Sequence, residues 1–340
     1  MKADNWILVS GATGFLGAYL LRALVREGRQ VRALRRQDSD MSLVADIADE
    51  VAWVYADVLD VPALEVAFEG VQWVYHCAGY ISYSPDDVAQ MRAVNEEGTA
   101  NIVNLCMDFG VRKLLYVSSI AALGRNEDSR LVDESTKWTD SALNTNYAIS
   151  KFRAECEVWR GVAEGLRAVV INPSVIVGSG KWSDSSCRLF GRVADGLKYY
   201  PTGATGWVDV RDVADVMVLL MESDVEQTRF VVNGANCSYK QVFEWMADGL
   251  GVDAPRTKVS GWMAALAWRM EWLKGKLTGR KQLITRETAM TSAHIFEYSS
   301  AKLLDMFPTF RYRDIQHTIH TTSKQYVASK QMGKKFALLP

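Results

Sequence analysis

The chain has 340 residues, 49% of them hydrophobic, enough to bury a large core in two domains or in one domain with an elaborated end. Its 39 basic and 40 acidic residues leave a net charge of −1, which removes any bulk electrostatic case for nucleic acid or an anionic membrane as partner. Five scattered cysteines (Cys77, Cys106, Cys156, Cys187, Cys237) form no C-x-x-C pair and read mostly as small buried hydrophobes in a reducing compartment, with no disulfide framework and no metal site expected.

Trp6-Ile-Leu-Val9 predicts a strand, and Ser10-Gly-Ala-Thr-Gly-Phe-Leu-Gly17 a tight turn opening onto a helix over 15–27. No basic start precedes an apolar stretch, and no run approaches the roughly 20 residues of a membrane span, so the expectation is a soluble, cytoplasmic protein. Strand patterns then alternate with helical ones: strands at 31–34, 51–55, 71–75, 113–117 and 167–171, helices at 41–49, 62–68, 86–109 and 141–163. That beat predicts a Rossmann-type α/β fold, a doubly wound parallel sheet covered on both faces. Beyond about residue 175 the beat breaks, leaving helical patterns at 211–222 and 239–249 and a tryptophan-rich stretch (Trp262, Trp268, Trp272) before the basic segment Lys274–Lys281. The expected division is a nucleotide-binding domain over 1–175, to which 205–232 returns, and a smaller α/β substrate lobe from 176–204 and 233–320. A helix or tail over 321–340 completes it. The tryptophans are read as a helix capping a pocket or packing on the core, in preference to a helix lying on a membrane surface.

The chemistry starts at the glycine turn. Gly11 permits the reversal, Gly14 lets backbone N–H groups approach a pyrophosphate, and Gly17 lets the helix pack close to the strand, while the helix start favours an anion. The second strand ends in Arg35-Arg36 with no acid at its tip; Asp38 and Asp40 come later. A carboxylate there would bind ribose hydroxyls, whereas a guanidinium fork suits a 2′-phosphate, so NADP(H) is the preferred cofactor and NAD(H) the second choice. Asp57-Val58 and Ala78-Gly79 end the third and fourth strands; His76 beside them is read as a satisfied core residue. Tyr147 and Lys151 lie one helical turn apart, where an ammonium can lower a phenol's pKa and make it a proton donor and acceptor for carbonyl/alcohol interconversion. Ser119, after the fifth strand, is placed to hydrogen-bond the substrate oxygen.

The ordered set SGATGFLG, DV at 57–58, HCAG, YVSS, YAISK, INPSVIVG (171–178) and WVDVRDVAD (207–215) resembles the extended short-chain dehydrogenase/reductase family across residues 6–222. The likeness is to its dihydroflavonol-reductase-like and 3β-hydroxysteroid-dehydrogenase-like branch and to bacterial proteins of the NAD-dependent epimerase/dehydratase type, and residues 284–307 extend it to about residue 320. The resemblance implies that Tyr147 is the general acid/base, that Lys151 tunes it and binds ribose, and that Ser119 polarises the carbonyl. It implies further that Gly11, Thr13, Gly14, Phe15, Leu16 and Gly17 hold the pyrophosphate and that Asp57 and Val58 meet the adenine. Ala78 and Gly79 would flank the cofactor, and Pro173, Ser174 and Val175 would meet the carboxamide. Asn95 matches a recurrent asparagine read as structural. Ser10 replaces the usual threonine, and Arg35 stands where NAD-using epimerases carry aspartate.

The expected function is NADP(H)-dependent interconversion of a ketone or aldehyde and an alcohol on a small, hydrophobic substrate. The alternatives are a nucleotide-sugar epimerase or dehydratase, for which Arg188, Arg192 and Arg211 would bind the diphosphate, and a non-catalytic NADP-binding regulator. The chain is expected to act as a monomer or homodimer.

Overall fold

Short runs of Val, Ile, Leu and aromatic residues recur through the first two thirds of the chain, and most become strands buried on both faces. The computed structural model describes residues 5–125, 130–260 and 285–339, with Trp262, Met263, Leu266 and residues 268–270 between the last two stretches. Seven runs pair in parallel: β1 (Trp6–Ser10), β2 (Val31–Arg35), β3 (Ala52–Tyr55), β4 (Val71–His76), β5 (Lys113–Val117), β6 (Ala168–Pro173) and β7 (Thr228–Val232). Their spatial order, β3-β2-β1-β4-β5-β6-β7, reverses direction between β1 and β4. That reversal opens a crevice at the carboxyl ends of the strands, where open α/β sheets bind ligands.

Helices cover both faces. On one, α1 (Phe15–Arg26) and α5 (Val210–Glu222) bury Leu20, Leu24, Val213 and Met217 against Val9, Ala33 and Phe230. On the other, α2 (Val61–Phe68), α3 (Gly98–Asp108) and α4 (Asn146–Ala163) bury Phe68, Ile102, Cys106 and Val158 against Leu8, Val74 and Leu114. A second core lies under a three-stranded sheet of Val175–Val177, Ala204–Asp209 and Ala235–Ser238, where Trp182, Phe190, Trp207 and Phe243 meet α6 (Tyr239–Leu250) and α7 (Ile315–Gln331). Residues 205–232 divide between the two sheets: Ala204–Asp209 joins the small one, and α5 and β7 the large one.

Several local expectations are corrected. The helix expected over 86–109 is broken into Val88–Arg92, a π turn at Ala93–Glu97, and α3. The buried Asn95 sits in that turn and spends its amide on Tyr80 and Ser150. The stretch 41–49 yields only a 3₁₀ turn at Ala45–Glu50. Helix α4 begins at Asn146, because Thr145 caps it by accepting the Ala148 N–H at 3.0 Å. Helix α7 starts at its Asp314 cap and runs unbroken through the boundary expected at 320/321. Beyond it the chain docks: Phe336 bridges Lys181, and the Leu339 N–H donates to Tyr19 Oη at 2.8 Å.

All five cysteines are free, but Cys156 is exposed and Cys77 only half-buried. Trp262 is 71% exposed and Trp268 half-buried, while Trp272 and Lys274–Lys281 lie outside the described residues. Among the described residues, no helix is long and apolar enough to cross a membrane.

Candidate active site

The glycine turn joins β1 to α1 at the crevice. Gly11 has φ +65°, and a Cβ there would lie 2.6 Å from the Ala78 nitrogen. A Cβ on Gly17 would lie 2.2 Å from the Gly11 oxygen. Glycine is thus dictated at both positions, by the approach of the turn to the exit of β4 and of the helix to the turn. No side chain caps α1 and no acid occupies its first turn, so its leading N–H groups and positive dipole end meet no competing carboxylate. Such a cradle fits a diphosphate. Thr13 and Gly14 lie at its lip, whereas Phe15 and Leu16 turn their side chains into the protein; Phe15 packs edge-on to Tyr19 at 5.9 Å and against Gly180. Those two can offer a ligand backbone only.

At the tip of β2, Arg35 lays its guanidinium 4.3 Å over the Tyr55 ring and bonds that residue's hydroxyl. Arg36 is exposed and pairs with Asp38 at 3.2 Å, while Lys181 reaches Asp40 at 3.0 Å. After β3, Asp57 accepts the Leu59 N–H at 3.0 Å, and Val58 is buried with its side chain against Gly98. Val58 therefore faces α3, and only its backbone borders the crevice.

Across the switch point, Ala78 donates its N–H to Ser10 Oγ at 3.2 Å, and Gly79 sits beside Asn95 and Lys151. His76 is buried with both ring nitrogens bonded, to Ser10 at 2.7 Å and Thr99 at 3.0 Å; burial drives its pKa down to about 3, so the ring is neutral.

Beyond β5, Ser119 accepts the Ala121 N–H at 3.1 Å, and its side chain acts to lower the pKa of Tyr147 on the first turn of α4. Lys151 follows one turn later, 4% exposed, and donates to Tyr116 Oη at 2.6 Å and to the Val117 carbonyl at 2.8 Å. Burial lowers its pKa to about 7, although Glu155 and Cys77 pull the other way. The expected effect of Lys151 on Tyr147 is absent here. Burial raises the Tyr147 phenol, with Tyr83 adding to the rise and Ser119 opposing it, because the ammonium is directed at Tyr116 instead. At the end of β6, Ser174 is buried, with its N–H on the Val232 carbonyl at 3.0 Å and no partner for its hydroxyl among the described residues. Pro173 closes β6, and Val175 opens the small sheet.

The structure thus gathers the glycine turn, Arg35, Arg36, Asp57, Ala78, Gly79, Ser119, Tyr147, Lys151 and Ser174 along one edge of the large sheet. Sequence reasoning missed Tyr83, whose ring stands 6.0 Å edge-on to Tyr147, and the bond from Lys151 to Tyr116. It also missed Arg125, whose guanidinium lies 5.5 Å over Phe296 and faces Tyr83, Tyr239 and Tyr298. Tyr116 stood inside the YVSS motif, but nothing in that string announces a bond to a helix two elements away. Arg211 grips Asp209 through Nη2 at 2.7 Å.

A parallel sheet of this order, with a glycine turn at its switch point, defines an extended short-chain dehydrogenase/reductase, an NAD(P)-dependent oxidoreductase fold. The chain belongs to the NAD dependent epimerase/dehydratase family, whose model matches residues 7–233. It is 34% identical over 259 residues to sterol demethylase protein B of Methylococcus capsulatus, covering 74% of this chain and 76% of that one. It is 33% identical over 244 residues to cinnamoyl-CoA reductase 1 of Oryza sativa subsp. japonica, covering 67% of this chain and 71% of that one. Among solved structures, that of gox2253 superposes with a TM-score of 0.81 at 28% identity, covering 97% of this chain and 99% of the other.

Proposed function

We propose that the protein is an NADP(H)-dependent oxidoreductase interconverting a ketone or aldehyde and an alcohol on a hydrophobic substrate. The observation that carries this reading is that the Tyr147 phenol, eased downward by the Ser119 side chain, stands at the crevice one helical turn from a buried Lys151. When bound, the nicotinamide supplies or accepts the hydride. Tyr147 delivers a proton to the carbonyl oxygen, or removes one from the alcohol, and Ser119 holds that oxygen against the phenol. Burial keeps the phenol protonated at neutral pH, which suits the carbonyl-to-alcohol direction. Gly11, Thr13, Gly14 and Gly17, with the Phe15 and Leu16 backbone, hold the diphosphate. Ala78 and Gly79 flank the cofactor, Asp57 and the Val58 backbone take the adenine, and Pro173, Ser174 and Val175 take the carboxamide. The unpartnered Ser174 hydroxyl supports that last assignment.

Arg35 and Arg36, with no acid at the tip of β2, support NADP(H) over NAD(H). Residues 176–204, 233–260 and 285–331 form the substrate lobe in this reading, and Tyr83, Tyr239 and Tyr298 give the crevice an aromatic wall. The relatives named for a sterol and for a cinnamoyl thioester support a bulky, largely apolar substrate. The test is an absorbance screen of sterol-like ketones and aryl aldehydes with NADPH and with NADH. Stoichiometric NADPH oxidation supports the reading; a cofactor that stays bound and unchanged while the substrate is converted supports an epimerase or dehydratase instead.

A further inference from the structure

Arg125 stands where three parts of the fold converge. It follows Ser119 by six residues, just past the 3₁₀ turn Ile120–Leu123 that carries the chain on from β5 at the carboxyl edge of the large sheet. Its Nη1 donates to the Leu143 carbonyl at 3.3 Å, two residues before the Thr145 cap of α4. Its guanidinium carbon lies 5.5 Å from the centre of the Phe296 ring, and the Phe296 N–H donates to the Ala204 carbonyl of the small sheet at 3.0 Å. The exit of β5, the start of α4 and the small sheet therefore meet around one cation.

That cation is short of partners. Its Nε is buried without an acceptor, Nη1 makes one long bond, and among the described residues it forms no ion pair. Glu287, the carboxylate brought to the start of α4 by the short helix Arg286–Thr291, is spent on Asn146: its oxygens accept the Asn146 N–H at 3.2 Å and the side-chain amide at 2.5 Å. The surroundings are otherwise apolar, since Phe296 and Tyr298 pack with Ile120, Leu123 and Leu143 in one buried cluster. The Arg125 charge also eases the phenols of Tyr83, Tyr239 and Tyr298 downward, and Tyr83, 39% exposed, stands edge-on to Tyr147 at 6.0 Å. A half-buried guanidinium among rings is a cost until an anion takes it, and a side chain needed only to cover Phe296 would carry no charge.

The geometry points to Arg125 as a specificity residue whose counter-ion is a carboxylate on the substrate, which makes that substrate an apolar-bodied oxo acid or the matching hydroxy acid. The inference rests on the proposed function for the reacting carbonyl and narrows its substrate class. A carboxylate is planar and takes two N–H groups of a guanidinium side by side, and the apolar body of such an acid would lie on the rings beside it. Arg125 does not touch the reacting atoms in this reading; it decides which molecule presents its carbonyl to Ser119 and Tyr147.

The test separates binding from turnover. 2-Naphthoate, 2-naphthamide and 2-naphthyl phosphate are titrated into the protein by calorimetry at about pH 7, with and without NADP⁺. The acid is expected to bind about tenfold more tightly than the amide of the same shape, the value of one charge-assisted contact. Arg125→Met keeps an unbranched stem over Phe296 and is expected to erase that preference with amide affinity unchanged, whereas Arg125→Lys restores the charge without the fork and recovers part of it. In turnover, 4-formylbenzoate is expected to show a lower KM than its methyl ester at similar kcat, and the difference to vanish in Arg125→Met. Equal affinity for acid and amide, binding of neither, a phosphate held more tightly than the acid, or a preference that survives in Arg125→Met overturns the inference. The comparison in the unaltered protein decides it even where the methionine variant does not fold. An acid preference without any NADPH oxidation leaves the carboxylate site in place and ends the oxidoreductase reading.

Discussion

The Arg35 guanidinium sits 4.3 Å over the ring of Tyr55 and donates to its hydroxyl, joining the tips of two neighbouring strands at the open side of the crevice. With Nη2 on the Tyr55 hydroxyl, the guanidinium is held at the strand tips, where a phosphate can compete for its N–H groups. Its companion Arg36 is exposed, and its pairing with Asp38 is weak enough to give way to a phosphate. Arg35→Ala is expected to weaken NADPH binding by about tenfold to a hundredfold, the loss of one charge-assisted contact, and to leave NADH binding nearly unchanged. Fluorescence titration with both cofactors checks this. NADH binding as tightly as NADPH to the unaltered protein would sink the assignment of Arg35 and Arg36.

Tyr147→Phe removes only the phenolic oxygen from a site whose ring contact with Tyr83 remains. The expected loss in kcat is about 10²–10⁴-fold, with cofactor affinity and Tm preserved. Undiminished turnover would end the acid/base assignment.

Burial holds Lys151 near 7 in the fold, against 10.5 for an exposed lysine. Between those values the unfolded chain binds more protons than the folded one, so this group's contribution to stability rises with pH across that window and is least favourable below it. Lys151→Met removes the titration while leaving Tyr116 and Val117 short of a donor at every pH. The difference in Tm, variant minus parent, is therefore expected to be most positive near about pH 6 and to decline by about pH 9. A difference that stays flat over that range would contradict the lowered pKa.

Gly17→Ala places a methyl carbon where the Gly11 oxygen stands, at 2.2 Å, and the offended atoms are backbone. Neither the turn nor α1 can yield cheaply, since Ala12 and Ala18 beside them are fully buried. Loss of cofactor binding with a lowered Tm is expected, whereas Gly28→Ala, where a Cβ would meet nothing, changes Tm only through its φ of +69°. Calorimetry on the pair separates packing from backbone strain.

Much of the site was legible because its chemistry is local. The glycine turn, Arg35-Arg36 and the Tyr147/Lys151 pair each declare themselves within a few residues, and the alternation of strand and helix places them at one edge. What stayed hidden depends on distant partners. The π turn at Ala93–Glu97 breaks a helical pattern because Asn95 is drawn to Tyr80 and Ser150, and neither contact can be read from the helix. The unbroken run of α7 is set by its burial against α6 and Trp182, over a stretch whose own apolar pattern is thin. The direction of the Lys151 ammonium was misjudged for the same reason, since its acceptor lies on a strand.

The Arg229–Glu155 pair offers a stability test away from the crevice. Glu155 is 2% exposed and ties α4 to the exit of β5, to β6 and to β7 through Ser118, Asn172 and Arg229. Arg229→Met strips it of its cation and is expected to cost about 3 kcal/mol by urea denaturation. Arg36→Met, which breaks an exposed pair, is expected to cost next to nothing.

The bond from the Leu339 N–H to Tyr19 Oη has a consequence for how the protein is made. Tyr19 lies on the helix that opens the glycine turn, and its hydroxyl also donates to the Ser179 carbonyl at 2.7 Å. During translation the early strands and helices can collapse as they leave the ribosome, but this buttress on the first helix stays incomplete until residue 339 has been made and released from the exit tunnel. A nascent chain stalled short of that point would leave the Tyr19 hydroxyl without the N–H it accepts, on the helix that opens the glycine turn.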